Sequence, residues 1–299
     1  MIEKKGGNAR NWLCRCLLMT TIIFASCGDA NTSYVKHAIR LMDRNGLYAE
    51  GEEWEAVKRE ALSTKPATIE EAQAAVRKAL TVAGGKHSFL LTSDEATADD
   101  TATWAMPTVE VQNGIAIVTI PRFSGNYEEG HRYAQTVLDA LPTTLDGAVI
   151  DLRDNTGGNM YPMIAAVHRF LPDDILVRIR TRKQTTPINK DYILNTVGTE
   201  RQAAIDCPVA LLTNERTGSS GEFTLLCFRG LRKARTFGAP TAGYASTNAS
   251  YPMPDGSCLV LTVGTDVART GEEFCDTPIV PDHATDTPLE DALSWLRAQ

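Results

Sequence analysis

At residue 108 the apolar residues of this 299-residue chain change period. Upstream, Tyr34, Val35, Ile39 and Met42 recur at amphipathic-helix spacing, as do Trp54, Val57, Ala61 and Leu62, and then Ala72, Ala75, Val76, Ala79 and Leu80. Thr68 with Glu71 three residues on forms a capping box for the third of these helices, and Asn45-Gly46 and Pro66 punctuate the joins. Downstream, Val109 and Val111 alternate with polar neighbours, Asn113-Gly114 signals a hairpin, and residues 115–120 are a near-continuous apolar block. A helix is expected over roughly 126–141, with Tyr133, Ala134, Val137, Leu138 and Leu141 on one face. A buried strand over 147–152 follows, then a Gly-rich turn and a helix carrying Met163, Val167 and Phe170. Further strands are expected at 175–179 and 209–213 and a helix at 219–229; Asp255-Gly256 marks a second hairpin and residues 289–296 a closing helix. Strand, turn and helix in alternation predict an α/β layer architecture preceded by a small helical subdomain.

The first 26 residues read as an export signal and stand outside the fold. Lys4, Lys5, Arg10 and Arg15 precede an apolar run from Cys16 to Ala25 that is too short to span a bilayer, which takes ~20 residues. Ala25-Ser26-Cys27 has the small-residue-then-Cys form of a bacterial lipobox, so Cys27 is expected to carry lipid as the first mature residue; plain signal cleavage is the alternative. The expected localisation is the cell envelope of a bacterium, lipid-anchored, on its periplasmic or outer-membrane face. The organisation expected is a signal at 1–26, a helical subdomain at 27–91, a linker at 92–107 and the catalytic domain at 108–299. Losing the signal moves the formal charge from −7 to −10, since four cations and Glu3 leave with it. An acidic chain without a basic stripe is not a nucleic-acid binder. Cys207, Cys227, Cys258 and Cys275 remain with no C-x-x-C spacing, either as disulfides permitted by an oxidising compartment or as buried thiols.

Two strand-to-helix turns can carry chemistry. Asp151 to Asn159 places Gly157-Gly158 after a buried strand, where backbone amides can converge on an anion or oxyanion. Thr213 to Glu222 places Ser219 and Ser220 at a helix start; each could be an N-cap, or a hydroxyl presented where the helix dipole favours negative charge.

With Gly84-Gly85-Lys86-His87-Ser88 upstream, these turns resemble, in order, the motifs of the tail-specific protease family. These serine peptidases include the carboxy-terminal processing proteases, the tricorn core and retinoid-binding relatives. Gly238-Ala239-Pro240-Thr241-Ala242-Gly243 and Pro278-Ile279-Val280-Pro281-Asp282 resemble two further family elements. The resemblance implies a core related to the crotonase and ClpP folds. It implies Ser219 as nucleophile, with Ser220 the less favoured choice, and an oxyanion hole from the amides of Ser220 and of Gly158 or Gly157. Processing proteases carry a Lys base where this chain has Tyr244, whose phenol (reference pKa ~10) is a poor substitute. His87 matches the His base of the tricorn-like branch. For the acid that orients it, Glu272, Glu273 and Asp276 compete, with Glu273 favoured and Cys275 falling on the aligned position. No PDZ domain fits between residues 92 and 107. No metal or organic cofactor is indicated, and the expected partner is a peptide or protein substrate. The other readings are a non-catalytic binder of an apolar ligand or peptide, and an esterase or amidase with the same nucleophile.

Overall fold

The computed structural model describes residues 27–95 and 104–299. The export signal, the Cys27 side chain and most of the expected linker lie outside the described residues. Three helices, α1 (Cys27–Asn45), α2 (Gly51–Ser63) and α3 (Ile69–Gly84), open the fold. The Thr68 side chain caps α3 by accepting from the Glu71 amide, as the sequence predicts. A short 3-10 turn, Gly85–His87, leads into β1 (Phe89–Leu91).

The core holds two sheets. In the first, β3 (Ile115–Thr119), β4 (Gly147–Asp151), β7 (Val209–Thr213), β8 (Ala234–Gly238) and β12 (His283–Ala284) run parallel, and β2 (Thr108–Gln112) closes one edge by antiparallel pairing with β3. The helices between them are α4 (Tyr127–Ala140), α5 (Met160–Ala166), α6 (Lys190–Val197) and α7 (Ser220–Leu226); α8 (Pro288–Arg297) closes the chain. β4 and β7 are buried along their whole length, which explains their unbroken apolar sequences. Ala292 and Leu296 of α8 cover one face of this sheet with Val149, Ala210 and Leu212.

The second sheet is antiparallel. β10 (Cys258–Ala268) pairs with β1, with β5 (Ile175–Thr181), with β9 (Ser246–Pro252) and with β11 (Glu273–Phe274), and β6 (Thr185–Asn189) pairs with β5. The Asp255-Gly256 turn joins β9 to β10, as expected. Helices α1–α3 pack directly on this sheet: Trp54, Val76 and Leu80 share one apolar cluster with Met253, Leu259 and Leu261.

The end of the expected linker packs on the core, where Trp104 lies edge-on against Phe123 with ring centroids 4.5 Å apart. No disulfide links Cys207, Cys227, Cys258 and Cys275; Cys207 and Cys227 are buried thiols.

Candidate active site

The site lies at the C-terminal ends of β4 and β7, neighbours in the parallel sheet, where open α/β sheets form a crevice. The turns that leave these strands are stitched together. The Gly218 amide donates to the Asn155 carbonyl (2.9 Å) and the Thr217 hydroxyl to the Leu152 carbonyl (2.8 Å). The Ser220 hydroxyl donates to the Gly158 carbonyl (2.5 Å).

Ser219 is the strained residue of this assembly. Its φ of 51° and ψ of −118° lie where L residues are seldom found, a conformation that costs on the order of 1–3 kcal/mol. Glu222 holds it there. This fully buried carboxylate accepts from the amides of Ser219 (2.9 Å), Gly243 (2.9 Å) and Tyr244 (2.7 Å) and from the Thr241 hydroxyl. Burial pushes its pKa up and the four donors oppose that shift. The Ser219 side chain is half-buried.

The geometry separates the three amides proposed for an oxyanion. The Gly157 amide donates to the Asn155 side chain at 2.9 Å, so it is occupied. Gly158 is exposed, and neither its amide nor that of Ser220, at the first position of α7, has an acceptor among the described residues. Both glycines are required by space and conformation. A Cβ on Gly157 (φ 102°) would meet the Ser219 Cβ at 2.7 Å, and one on Gly158 (φ 114°) the Phe123 carbonyl oxygen at 2.0 Å.

His87 enters from the helical layer. Its ring is buried against the edge of Tyr244, with centroids 5.1 Å apart, and the Tyr244 amide is bound to Glu222. The two halves of the site thus meet at Tyr244. Nδ1 of His87 is 2.8 Å from the Ser246 hydroxyl, and the Asn248 side chain holds its carbonyl at 2.9 Å. Desolvation drives the His87 pKa down to about 4; Asp276 opposes that shift and Lys86 adds to it, so the imidazole is neutral at pH 7. Among the described residues no hydrogen bond joins His87 to Ser219.

The expectation that Glu273 orients His87 is not met. Glu273 is exposed at the far end of β10's sheet, in an ion pair with Arg180. Glu272 is bound by Arg229 and Thr270, which hold its pKa down to about 2. Of the three candidates only Asp276 acts on His87 electrostatically, and its Oδ2 is taken by the Tyr48 hydroxyl (3.1 Å). Sequence reasoning missed Ser246 and Tyr48, which belong to no motif. His168 is structural: fully buried, with Nδ1 against the Ala165 carbonyl and Nε2 accepting from the Gln202 amide.

A strained, accessible serine, two open amides beside it and a neutral buried imidazole define a serine hydrolase site. The chain belongs to Peptidase family S41, whose model matches residues 114–285, and it is a serine peptidase. It is 31% identical over 283 residues to a nisin-resistance protein of Lactococcus lactis subsp. lactis, covering 89% of this chain and 87% of that protein. It is 24% identical over 181 residues to a carboxyl-terminal-processing protease of Synechocystis sp., covering 58% of this chain and 39% of the relative. The solved structure of a lipoprotein from Streptococcus agalactiae superposes with a TM-score of 0.84 at 30% identity, covering 94% of this chain and 99% of that one. This agreement fits the expected core preceded by helices. The chain spans well under half of the processing proteases it matches, in contrast to its near-full coverage of the nisin-resistance protein.

Proposed function

We propose that this chain is an exported, lipid-anchored peptidase of the cell envelope, in which Ser219 is the nucleophile and His87 the general base. The Ser219 oxygen attacks the substrate carbonyl carbon while His87 takes its proton. The amides of Gly158 and Ser220 receive the oxyanion; losing one such donor typically costs ~100–1000-fold in rate. The tetrahedral species then expels the amine, which takes the proton back from His87, and water repeats the sequence on the acyl-enzyme. The observation that carries this reading is the strained Ser219 backbone at the start of α7, its amide held by the buried Glu222. The likeness to a lipoprotein structure supports the anchor at Cys27. Among the described residues no helix is long and apolar enough to cross a membrane.

The nearly full-length likeness to a protein named for nisin resistance supports nisin-like peptides as the substrate class. The reading is tested by labelling with a fluorophosphonate probe and by incubation with nisin followed by mass spectrometry. Ser219→Ala should abolish both labelling and cleavage and His87→Ala should lower each by at least ~1000-fold, while Ser220→Ala keeps measurable labelling. Labelling that persists in Ser219→Ala would overturn the assignment. Intact nisin beside a labelled wild-type enzyme would overturn the substrate class alone.

A further inference from the structure

The lipid proposed for Cys27 joins the fold without a linker, because α1 begins at that residue. From there α1 runs to the catalytic end of the molecule. Near its start, the Asn31 side chain donates to the Pro66 carbonyl in the turn before α3 (3.4 Å), and the Tyr34 hydroxyl lies 2.9 Å from the Ser257 hydroxyl in the β9–β10 turn. Gln73, in the first half of α3, donates to Asp255 of that same turn (2.8 Å). Just past the end of α1, the Leu47 amide donates to the Thr262 carbonyl and the Tyr48 amide to the Ala83 carbonyl, each at 2.9 Å. The Tyr48 ring packs on Gly85, where a Cβ would meet it at 2.8 Å, and His87 is two residues further on. α1 and α3 therefore run parallel. β9 descends beside them from Ser246, at His87, to Pro252, at the β9–β10 turn.

We infer that the protein stands end-on at the membrane, with α1 and α3 as stiff spacers that hold the catalytic site about 25 Å above the lipid surface. Three elements agree on that height. At their usual rise per residue, the 19 residues of α1 span ~28 Å, the 16 residues of α3 ~24 Å and the seven residues of β9 ~20 Å. A lipid on a flexible tail would leave the orientation free. A lipid on the first turn of a packed helix ties it to the axis of that helix, and the apolar cluster that α1 and α3 share with β10 keeps the spacer stiff. Charge favours the smallest contact, because the chain is acidic and an anionic bilayer repels its broad faces. The consequence falls on the substrate. An extended peptide covers ~3.3–3.6 Å per residue, so about seven residues must project from the bilayer before a bond reaches Ser219. The substrate class narrows to peptides, or stretches of peptide, held in the aqueous phase. A segment lying within the lipid interface is out of reach.

This inference rests on the proposed lipid at Cys27 and on Ser219 as the nucleophile, and its test keeps them apart. The full chain, made with its signal in a bacterium, is reconstituted on a bilayer of phosphatidylcholine and phosphatidylglycerol. Neutron reflectometry should place the axis of α1 nearer the bilayer normal than its plane. Fluorophosphonates tethered to a lipid in the same bilayer give the functional readout. A tether reaching ~40 Å should label Ser219, and one of ~10 Å should label it at least ~10-fold more slowly, because a linker that cannot span its sites gives almost no effective concentration. Inserting ten Gly and Ser residues between Cys27 and Gly28 adds roughly 17 Å of free travel and should remove that length dependence. Reflectometry showing α1 in the plane of the bilayer overturns the inference, as does equal labelling of the wild type by short and long tethers. So does a length dependence that the insertion leaves unchanged. If the wild type and Cys27→Ser are equally absent from the bilayer, the anchor fails and the spacer falls with it. If a soluble fluorophosphonate leaves the wild type unlabelled, the nucleophile assignment fails, while reflectometry still decides the orientation.

Discussion

Ser219 shows how one residue can carry a cost that its neighbours sustain. Its unfavourable backbone angles persist because Glu222 binds four donors at once, including the Ser219 amide itself. Glu222→Gln keeps the volume but turns an amide N–H₂ toward groups that donate. It should destabilise the fold by about 1–3 kcal/mol and lower labelling by more than the stability loss explains, measured by denaturant unfolding beside probe kinetics. The His87 pKa of about 4 sets a pH range. The base form is present above that value, so probe labelling should hold down to about pH 5 rather than fade below the ordinary imidazole value of ~6.5. Lys86→Ala removes a cation that lowers this pKa, and should shift the acid limb upward. At this scale the sequence was informative wherever backbone conformation dictates residue type. The paired glycines and the serine with its following Glu222 are spelled out because few other residues fit. Tyr48, Ser246 and Cys275 lie far apart in the chain, at no repeating interval, and only the fold brings them together.

Among the elements, β10 holds the least expected group. Asp266 is buried in the middle of the antiparallel sheet, where it accepts a hydrogen bond from the Thr247 hydroxyl at 2.7 Å. Burial pushes its pKa up to about 7. Folding therefore favours the protonated carboxyl. The contribution of Asp266 to stability is whole below the unfolded value of ~3.9 and is lost as pH rises through 7. Asp266→Asn removes that loss. Its Tm should match the wild type near pH 4 and exceed it increasingly up to pH 8, where the gain reaches a few kcal/mol; equal Tm values at pH 8 would refute this account. The parallel strands were legible because burial on both faces leaves an unbroken apolar run. The β5–β6 hairpin and the antiparallel partners of β10 were harder to read. Their strands alternate or carry polar residues such as Thr185, Asn189 and Asn248, and β1 and β5 meet β10 only across long sequence distances.

Over the whole molecule, the helices and the antiparallel sheet are expected to unfold together, because α1–α3 and β10 share a single apolar cluster. Leu261 is fully buried at that seam. Leu261→Ala should cost about 2–5 kcal/mol. Tryptophan fluorescence and probe labelling should be lost in the same denaturant transition, and labelling that survives after the helices have melted would show them to be dispensable. The helical subdomain was visible from its periodicity alone. Its role as the carrier of His87 against the sheet was not, since that depends on a strand some 170 residues further along the chain.

The position of β10 has a consequence for biosynthesis. This strand bonds to β1, which follows His87, and to β9, which Ser246 opens. A ribosome delivers it only after both of those and after Ser219. Until residues 258–268 are made and seated, the proposed nucleophile Ser219 stands without the strand that secures the segment of His87. An unfinished copy, or one clipped before β10, should therefore show no peptidase activity.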